Sequence, residues 1–199
     1  MASLTFWFEF ASTYSYLSAM RIEDLARKTD MDVIWKPFLL GPIFKAQKWA
    51  TSPFNIYPAK GRYMARDIER IAEKRCLVFR LPDPFPQNGL VAARLALAGL
   101  EEEWGPDFIR SVFRLEFAEG RNIAEPSTLR AALGFAGARA DHAFERAQSP
   151  EIKARLRANT EEAQALGIFG APSFTTADRK LFWGDDRLEQ ALLWSQRKT

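Results

Sequence analysis

Four small or hydroxyl-bearing residues, Ser12-Thr13-Tyr14-Ser15, separate an apolar run from a stretch with helical spacing. The first turn of a helix favours a bound anion, because its N–H groups lack intrahelical partners and lie at the positive end of the helix dipole. Ser12 and these N–H groups could donate to a thiolate, and a charge-assisted bond of about 1.5–3 kcal/mol would lower the thiol pKa by about one to two units. The alternative role for Ser12 is an ordinary helix N-cap, worth about 1 kcal/mol.

The elements on both sides of this motif form a βαβ unit. Residues 4–10 are an almost wholly apolar run, which suits a strand covered on both faces. Residues 13–28 carry apolar side chains at helical spacing, and residues 31–39 read as a second strand. We expect the two strands to be parallel and their crossover to be right-handed.

Helical patterns dominate the middle of the chain, and strand patterns return near its end. The predicted helices cover residues 62–75, 89–102, 106–118, 127–136, 140–148 and 150–166. Two short β-rich runs at 173–176 and 180–183 predict a hairpin, and 185–196 predicts a closing helix. The order is that of an α/β thioredoxin-like fold, with residues 1–40 and 170–199 as the thioredoxin-like domain and 41–169 as an inserted all-helical domain.

Composition excludes several classes of function. Lys and Arg are scattered through the chain, and the net charge is only +3, so we expect no nucleic-acid partner. A single cysteine, Cys76, excludes an internal disulfide, and we expect it to be packed as a small hydrophobe. One cysteine and one histidine exclude a zinc site of the usual kind. Without a signal-peptide pattern or an apolar run long enough to span a membrane, the chain is expected to be cytoplasmic.

Six segments in order along nearly the whole chain carry a resemblance to one family. They are "FEFASTYSYLS" at 8–18, "FLLGPIFKA" at 38–46, "YPAKGRYMARDIERIA" at 57–72, "RLPDPFPQNGLVAARLAL" at 80–97, "ANTEEAQALGIFGAPSF" at 158–174 and "LFWGDDRLE" at 181–189. Together they resemble the 2-hydroxychromene-2-carboxylate isomerases. That family belongs with the kappa-class glutathione transferases in a DsbA-like branch of the thioredoxin fold.

The resemblance implies a glutathione-dependent enzyme in which Ser12 faces the glutathione sulfur. It further implies that the remaining glutathione contacts come from Lys60, from Ala171 ahead of a cis Pro172, and from Asp186 and Arg187 at the γ-glutamyl end. Arg binds carboxylates in bidentate fashion, and the opposite charges of Asp186 and Arg187 suit a zwitterion. Each of these residue types is also common on solvated surfaces, and Pro172 would also suit the start of a strand.

The implied reaction is the isomerisation of 2-hydroxychromene-2-carboxylate to trans-o-hydroxybenzylidenepyruvate, or of a related aromatic-catabolism intermediate. It runs through thiolate addition, ring opening, bond rotation and elimination, and a homodimer is expected. Candidate walls for a flat aromatic substrate are Tyr14, Phe44 and Trp49. Two alternatives remain: a kappa-like transferase that leaves glutathione attached to an electrophile, and a non-catalytic binding module.

Two departures from the family pattern bear on the site. The usual Ser-Pro-Tyr is Ser12-Thr13-Tyr14 here, and the loop at 47–57 lacks the Gly-Asn of better-known members. Proline would pre-set the backbone at the first helical turn, so Thr13 leaves the sulfur site less fixed in advance. Ser-x-x-Ser in place of Cys-x-x-Cys also makes disulfide exchange chemically impossible at this position.

Overall fold

A mixed four-stranded sheet organises the part of the chain that the computed structural model describes, residues 2–49 and 51–196. Its strands are β1 (Ala2–Phe8), β2 (Met31–Pro37), β3 (Ser173–Thr176) and β4 (Leu181–Trp183), in the spatial order β2-β1-β3-β4. The β1–β2 pair is parallel, with Phe6 opposite Trp35, whereas the β1–β3 and β3–β4 pairs are antiparallel. Both ends of the chain therefore contribute to one sheet, as the sequence predicts.

Helices fill the space between the two halves of the sheet. They are α1 (Thr13–Ala19), α2 (Ile22–Lys28), α3 (Leu40–Ala46), α4 (Pro53–Ile56), α5 (Pro58–Lys74), α6 (Leu90–Gly99), α7 (Gly105–Phe117), α8 (Pro126–Phe135), α9 (Ala140–Gln148), α10 (Pro150–Ala165) and α11 (Leu188–Ser195), with a 3₁₀ turn at Asp185–Arg187. The order of βαβ, helices and ββα confirms the predicted thioredoxin-like fold with a helical insertion.

Three details differ from the predicted elements. The single helix expected over 13–28 is wrong, because the chain turns at residues 20–21 and forms α1 and α2 separately. Arg21 lies at this turn, where its guanidinium group reaches the C-terminal segment. The helices α3 and α4 were not predicted, and α5 starts at Pro58 rather than at residue 62, since proline is well suited to a first helical turn.

The core anchors the carboxyl end of β1, where the Ser12 motif begins. Alternate residues of β1 point to opposite sides, so that Phe6 and Phe8 join the large core while Trp7 packs against Phe38 on the other face. Helix α7 packs on the end of this strand through Phe113, whose ring centre lies 5.0 Å from that of Phe10. These fully buried aromatic contacts hold α7 beside the turn that carries Ser12.

Two further observations concern the chain as a whole. Cys76 is exposed and has a φ of 55°, so the expectation that it packs as a small hydrophobe is wrong. No helix among the described residues is long and apolar enough to cross a membrane. The division at residues 40 and 170 stays a prediction, since the large hydrophobic core runs without interruption from the sheet into the helices.

Candidate functional site

A cleft of about 1350 Å³ lies between the ends of the sheet and the helices α3, α5 and α6. The residues predicted for the site that line it are Ser12, Tyr14, Phe44, Trp49, Lys60, Ala171 and Asp186. Pro172 and Arg187 are not among the described residues that line it, although each adjoins one that does. The structure thus brings together positions that lie up to 174 residues apart in the sequence.

Ser12 is the N-cap of α1 and joins the two halves of the thioredoxin-like frame. Its Oγ accepts a hydrogen bond from the Ser15 backbone N–H at 3.2 Å and donates one to the Ala171 carbonyl at 2.9 Å. Both roles considered for Ser12 are therefore compatible with its position, since it caps a helix and also faces the cleft. Its hydroxyl has one proton, so donation to a ligand sulfur requires the bond to Ala171 to be exchanged.

Tyr14 is held by α5 rather than left free in the cleft. Its hydroxyl donates to Asp67 Oδ2 at 2.8 Å, and Thr13 Oγ1 lies 3.3 Å from Met64 Sδ in the same helix. The pKa of Tyr14 is raised far above its ordinary value, mainly by burial and to a smaller extent by the neighbouring Asp67 carboxylate. Tyr14 is therefore a neutral, fixed part of the wall, and Thr13 packs where the family has proline.

Aromatic side chains form two separate parts of the wall. Phe44 and Trp49, both predicted, pack together with ring centres 5.8 Å apart. Phe169 and Trp183, which were not predicted, form a second pair at 4.8 Å. Each ring of the second pair is about half exposed, so apolar surface is available to a ligand there.

Gly170 permits the second aromatic pair to lie where it does. A Cβ at position 170 would come within 2.4 Å of Trp183 Nε1, so any side chain would push the indole away. Gly170 and Trp183 both lie in segments that carry the family resemblance. Their contact could not be predicted, because it depends on β4 lying beside residue 170.

The residues assigned to glutathione belong to separate elements. Lys60 on α5 is exposed and lies over the Tyr57 ring, with Nζ 5.6 Å from the ring centre. In the 3₁₀ turn, Asp186 and Arg187 form a loose, exposed ion pair with 3.7 Å between Nη1 and Oδ2. The Ala171–Pro172 peptide bond is cis, as the resemblance implies, and the Ala171 carbonyl accepts the hydrogen bond from Ser12.

A buried carboxylate that the sequence analysis missed organises the floor near Asp186. Asp185 accepts hydrogen bonds from Ser18 at 2.9 Å, from Arg21 Nε at 3.3 Å and from Arg75 Nη2 at 2.7 Å. It therefore ties the 3₁₀ turn to α1 and to the end of α5. Arg75 lines the cleft and keeps its Nη1 without a hydrogen-bond partner among the described residues.

A second missed feature is a pair of acidic side chains, Glu9 at the Ser12 turn and Glu116 on α7. Glu9 lines the cleft, and burial raises its pKa to about 7, partly offset by a hydrogen bond from the Ala11 backbone. Glu116 on α7 is fully buried, and burial together with the charge of Glu9 holds its pKa well above the ordinary value. A charged residue within an apolar run, three positions before Ser12, was the sequence signal for this pair.

Comparisons with known proteins agree with this architecture. A family model described as DSBA-like thioredoxin domain matches residues 3–192. A curated 2-hydroxychromene-2-carboxylate isomerase from Sphingobium xenophagum is 28% identical over 188 residues, covering 94% of each chain. Glutathione S-transferase kappa 2 from Caenorhabditis elegans is 29% identical over 93% of this chain and 88% of its own.

Solved structures show the same fold at lower identity. A 2-hydroxychromene-2-carboxylate isomerase structure superposes with a TM-score of 0.87 at 20% identity, covering 98% of this chain and 95% of the other. A probable DsbA oxidoreductase from Streptomyces coelicolor gives a TM-score of 0.81 at 19% identity, covering 100% of this chain and 92% of the other.

Proposed function

The chain belongs to the family of DSBA-like thioredoxin domains, and we propose that it is a glutathione-dependent isomerase. The proposed reaction converts 2-hydroxychromene-2-carboxylate, or a related aromatic-catabolism intermediate, to trans-o-hydroxybenzylidenepyruvate. The observation that carries this proposal is the Ser12 hydroxyl, which faces a cleft bordered by two aromatic pairs. The isomerase and kappa transferase relatives support a glutathione-related enzyme.

The cleft has the size and the chemical groups that glutathione and an aromatic acid require. Its volume of about 1350 Å³ exceeds the roughly 300–1,000 Å³ of pockets that hold one drug-sized ligand. Lys60 and Lys74 line it and provide positive charge for carboxylates, while Asp186 provides negative charge for an amine. Arg21 and Arg75 also line it but are paired with Asp185, and Arg21 with Glu189 as well. Bound glutathione would supply a thiolate that adds to the substrate, leaves a single bond that can rotate, and is then eliminated.

The proposal gives this chain's residues the following roles. Ser12 donates to the sulfur and stabilises its ionised form, which is the reactive one. The proposed glutathione contacts are Lys60, Ala171, Pro172, Asp186 and Arg187, the last acting from beside the cleft wall. Tyr14, Phe44 and Trp49 border the space for the aromatic ring. Splitting one difficult step into addition and elimination is the source of the rate gain.

Product analysis of the purified protein tests the proposal. With glutathione, mass spectrometry and liquid chromatography should show conversion of the chromene carboxylate to an isomer of the same mass, with glutathione regenerated. Conversion that does not depend on glutathione, or no conversion at all, would refute the proposed isomerase.

The second candidate is a transferase, favoured by the 29% identity to glutathione S-transferase kappa 2 from Caenorhabditis elegans. A transferase would give a product heavier by one glutathione, so the same assay separates the two enzymes. A non-catalytic binding module would turn over neither substrate. The homodimer and the cytoplasmic location stay predictions, for which sedimentation and cell fractionation are the respective measurements.

A further inference from the structure

The carboxyl group of Glu9 lies at the cleft end of β1, within the turn that carries Ser12. The Ser12 backbone N–H donates to the Glu9 carbonyl at 3.1 Å, so the two residues close the same turn. The Glu9 side chain extends to the beginning of α6, where a Cβ at Gly89 would lie 3.5 Å from its Oε1. Glu9, Ser12 and Gly89 all line the cleft.

A second carboxyl group, that of Glu116 on α7, is near enough to Glu9 for the Glu9 charge to raise its pKa, and it is not among the described residues that line the cleft. Glu116 is 0% exposed, and neither of its oxygens has a hydrogen-bond partner among the described residues. The aromatic contact between Phe113 of α7 and Phe10 fixes α7 against the Ser12 turn. Two carboxyl groups in one poorly solvated place cannot both ionise easily, so the pair retains a proton at neutral pH.

Polar and charged groups in the cleft lining and on the neighbouring helix bear on this proton. Gln87 and Asn88 line the cleft just before Gly89, and Gln87 Nε2 is buried without a partner among the described residues. The remaining charged residues that line the cleft are Arg21, Lys60, Asp67, Lys74, Arg75, Asp185, Asp186 and Glu189. On α6, which packs against α7, Arg94 has a buried Nε that lacks a partner within the described residues.

We propose that Glu9 is the proton carrier for opening the substrate ring, and that Glu116 is the buried neighbour that sets its protonation. This inference rests on the proposed function and adds to it a role separate from that of Ser12. The substrate, as its name states, carries a hydroxyl and a carboxylate on the carbon next to the ring oxygen and is therefore a cyclic hemiketal. Its ring cannot open unless the hydroxyl loses a proton and the phenolic oxygen gains one.

One carboxylate can perform both transfers. The Glu9 carboxylate accepts the hydroxyl proton, and the electron pair of that O–H bond forms the ketone C=O. The bond from carbon 2 to the ring oxygen breaks, with its electron pair moving to the phenolic oxygen. Glu9 then returns the same proton to this oxygen, so the step is balanced without another reactant. A group that titrates near neutral pH suits this two-way transfer, and the pKa of Glu9 is raised to about 7 by burial.

Two substrates separate ring opening from the thiolate steps. The cyclic chromene carboxylate requires both ring opening and the thiolate steps. The open-chain cis isomer with a methylated phenol cannot close a ring. It therefore requires only thiolate addition, rotation and elimination. For Glu9→Gln we expect turnover of the cyclic substrate to fall about a hundredfold or more. Turnover of the methyl ether should change by less than about threefold.

Three further variants complete the test. Ser12→Ala should slow both substrates, and Glu119→Gln, which changes an exposed glutamate just beyond α7, should slow neither. Glu9→Asp retains a carboxyl group and should give an intermediate ratio between the two substrates, which also tests the proposal if Glu9→Gln does not fold. Glutathione affinity by calorimetry should be unchanged in Glu9→Gln.

Equal loss on both substrates, or a wild-type ratio in the Glu9 variants, would overturn the role of Glu9 in ring opening. Failure of the wild-type protein on both substrates would instead refute the proposed isomerase, and this inference with it. The two failures are therefore distinguishable from one set of assays.

Discussion

At the scale of single residues, Asp186 and Arg187 are not equivalent, although the resemblance assigns both to the γ-glutamyl end. Asp186 lines the cleft, whereas Arg187 lies beside it, and both side chains are more than half exposed. We expect Asp186→Asn to weaken glutathione binding by about 0.5–1 kcal/mol, because exposed charge contacts contribute little in water. Arg187→Gln should have the smaller effect. Titration calorimetry measures both, and a larger loss in Arg187→Gln would show that the arginine turns into the cleft.

The sequence predicted cleft residues that belong to recognisable motifs better than those whose role depends on burial. Ser12 and Asp186, which line the cleft, were predicted because they belong to motifs with a chemical meaning. Glu9 and Asp185 were missed because their importance comes from burial, which depends on α7, α5 and Arg21 being brought beside them. A lone acidic residue in an apolar strand pattern indicates such a position only when its surroundings are known.

At the scale of elements, Asp185 connects the C-terminal 3₁₀ turn to α1 and α5. Replacing it by Asn leaves the guanidinium groups of Arg21 and Arg75 without their buried counter-charge. We expect Asp185→Asn to lower the free energy of unfolding by about 2–3 kcal/mol, less than for a fully buried pair because both arginines are partly exposed.

Urea denaturation measures this loss, with Glu189→Gln as the matched control. That variant removes only the exposed partner of Arg21, and should change stability by less than about 0.5 kcal/mol. Equal losses in the two variants would mean that the network around Asp185 stabilises the fold no more than a surface ion pair.

Helix and strand boundaries were predicted correctly where the local sequence pattern determines them. They were missed where contacts between distant residues determine them. The strands and the helices from α6 onward follow hydrophobic periodicity and lie close to their predicted positions. The break between α1 and α2 was not predicted, because no proline or glycine marks it and Arg21 is drawn toward Asp185. The short helices α3 and α4 border the cleft, where the sequence reads as a proline-containing loop.

At the scale of the whole molecule, the two carboxyl groups make stability depend on pH. A carboxyl group whose pKa is raised by folding binds its proton more tightly in the folded state, so stability falls as pH rises above its unfolded pKa. Burial raises the pKa of both Glu9 and Glu116. We therefore expect the melting temperature to fall from about pH 5 to about pH 8.

Glu116→Gln should reduce this fall, because the amide has no proton to lose, and Glu119→Gln should leave it unchanged. Differential scanning calorimetry across the pH range provides the measurement. A melting temperature that rises steadily over this interval in the wild-type protein would contradict the raised pKa values of the two carboxyl groups.

The central claim concerns the whole site, in which Ser12 holds a ligand thiol as its thiolate. A free cysteine thiol has a pKa of about 8.5, and the ultraviolet absorbance of the thiolate reports its ionisation. Titrating the wild-type protein saturated with glutathione should give a bound-thiol pKa about one to two units below that of free glutathione, because the Ser12 hydroxyl donates to the charged form. Ser12→Ala should remove most of this shift, and Ser15→Ala, which deletes a buried hydroxyl in the same helix, should preserve it. The same bound-thiol pKa in the wild-type and Ser12→Ala proteins would contradict the account and leave Ser12 as a helix cap.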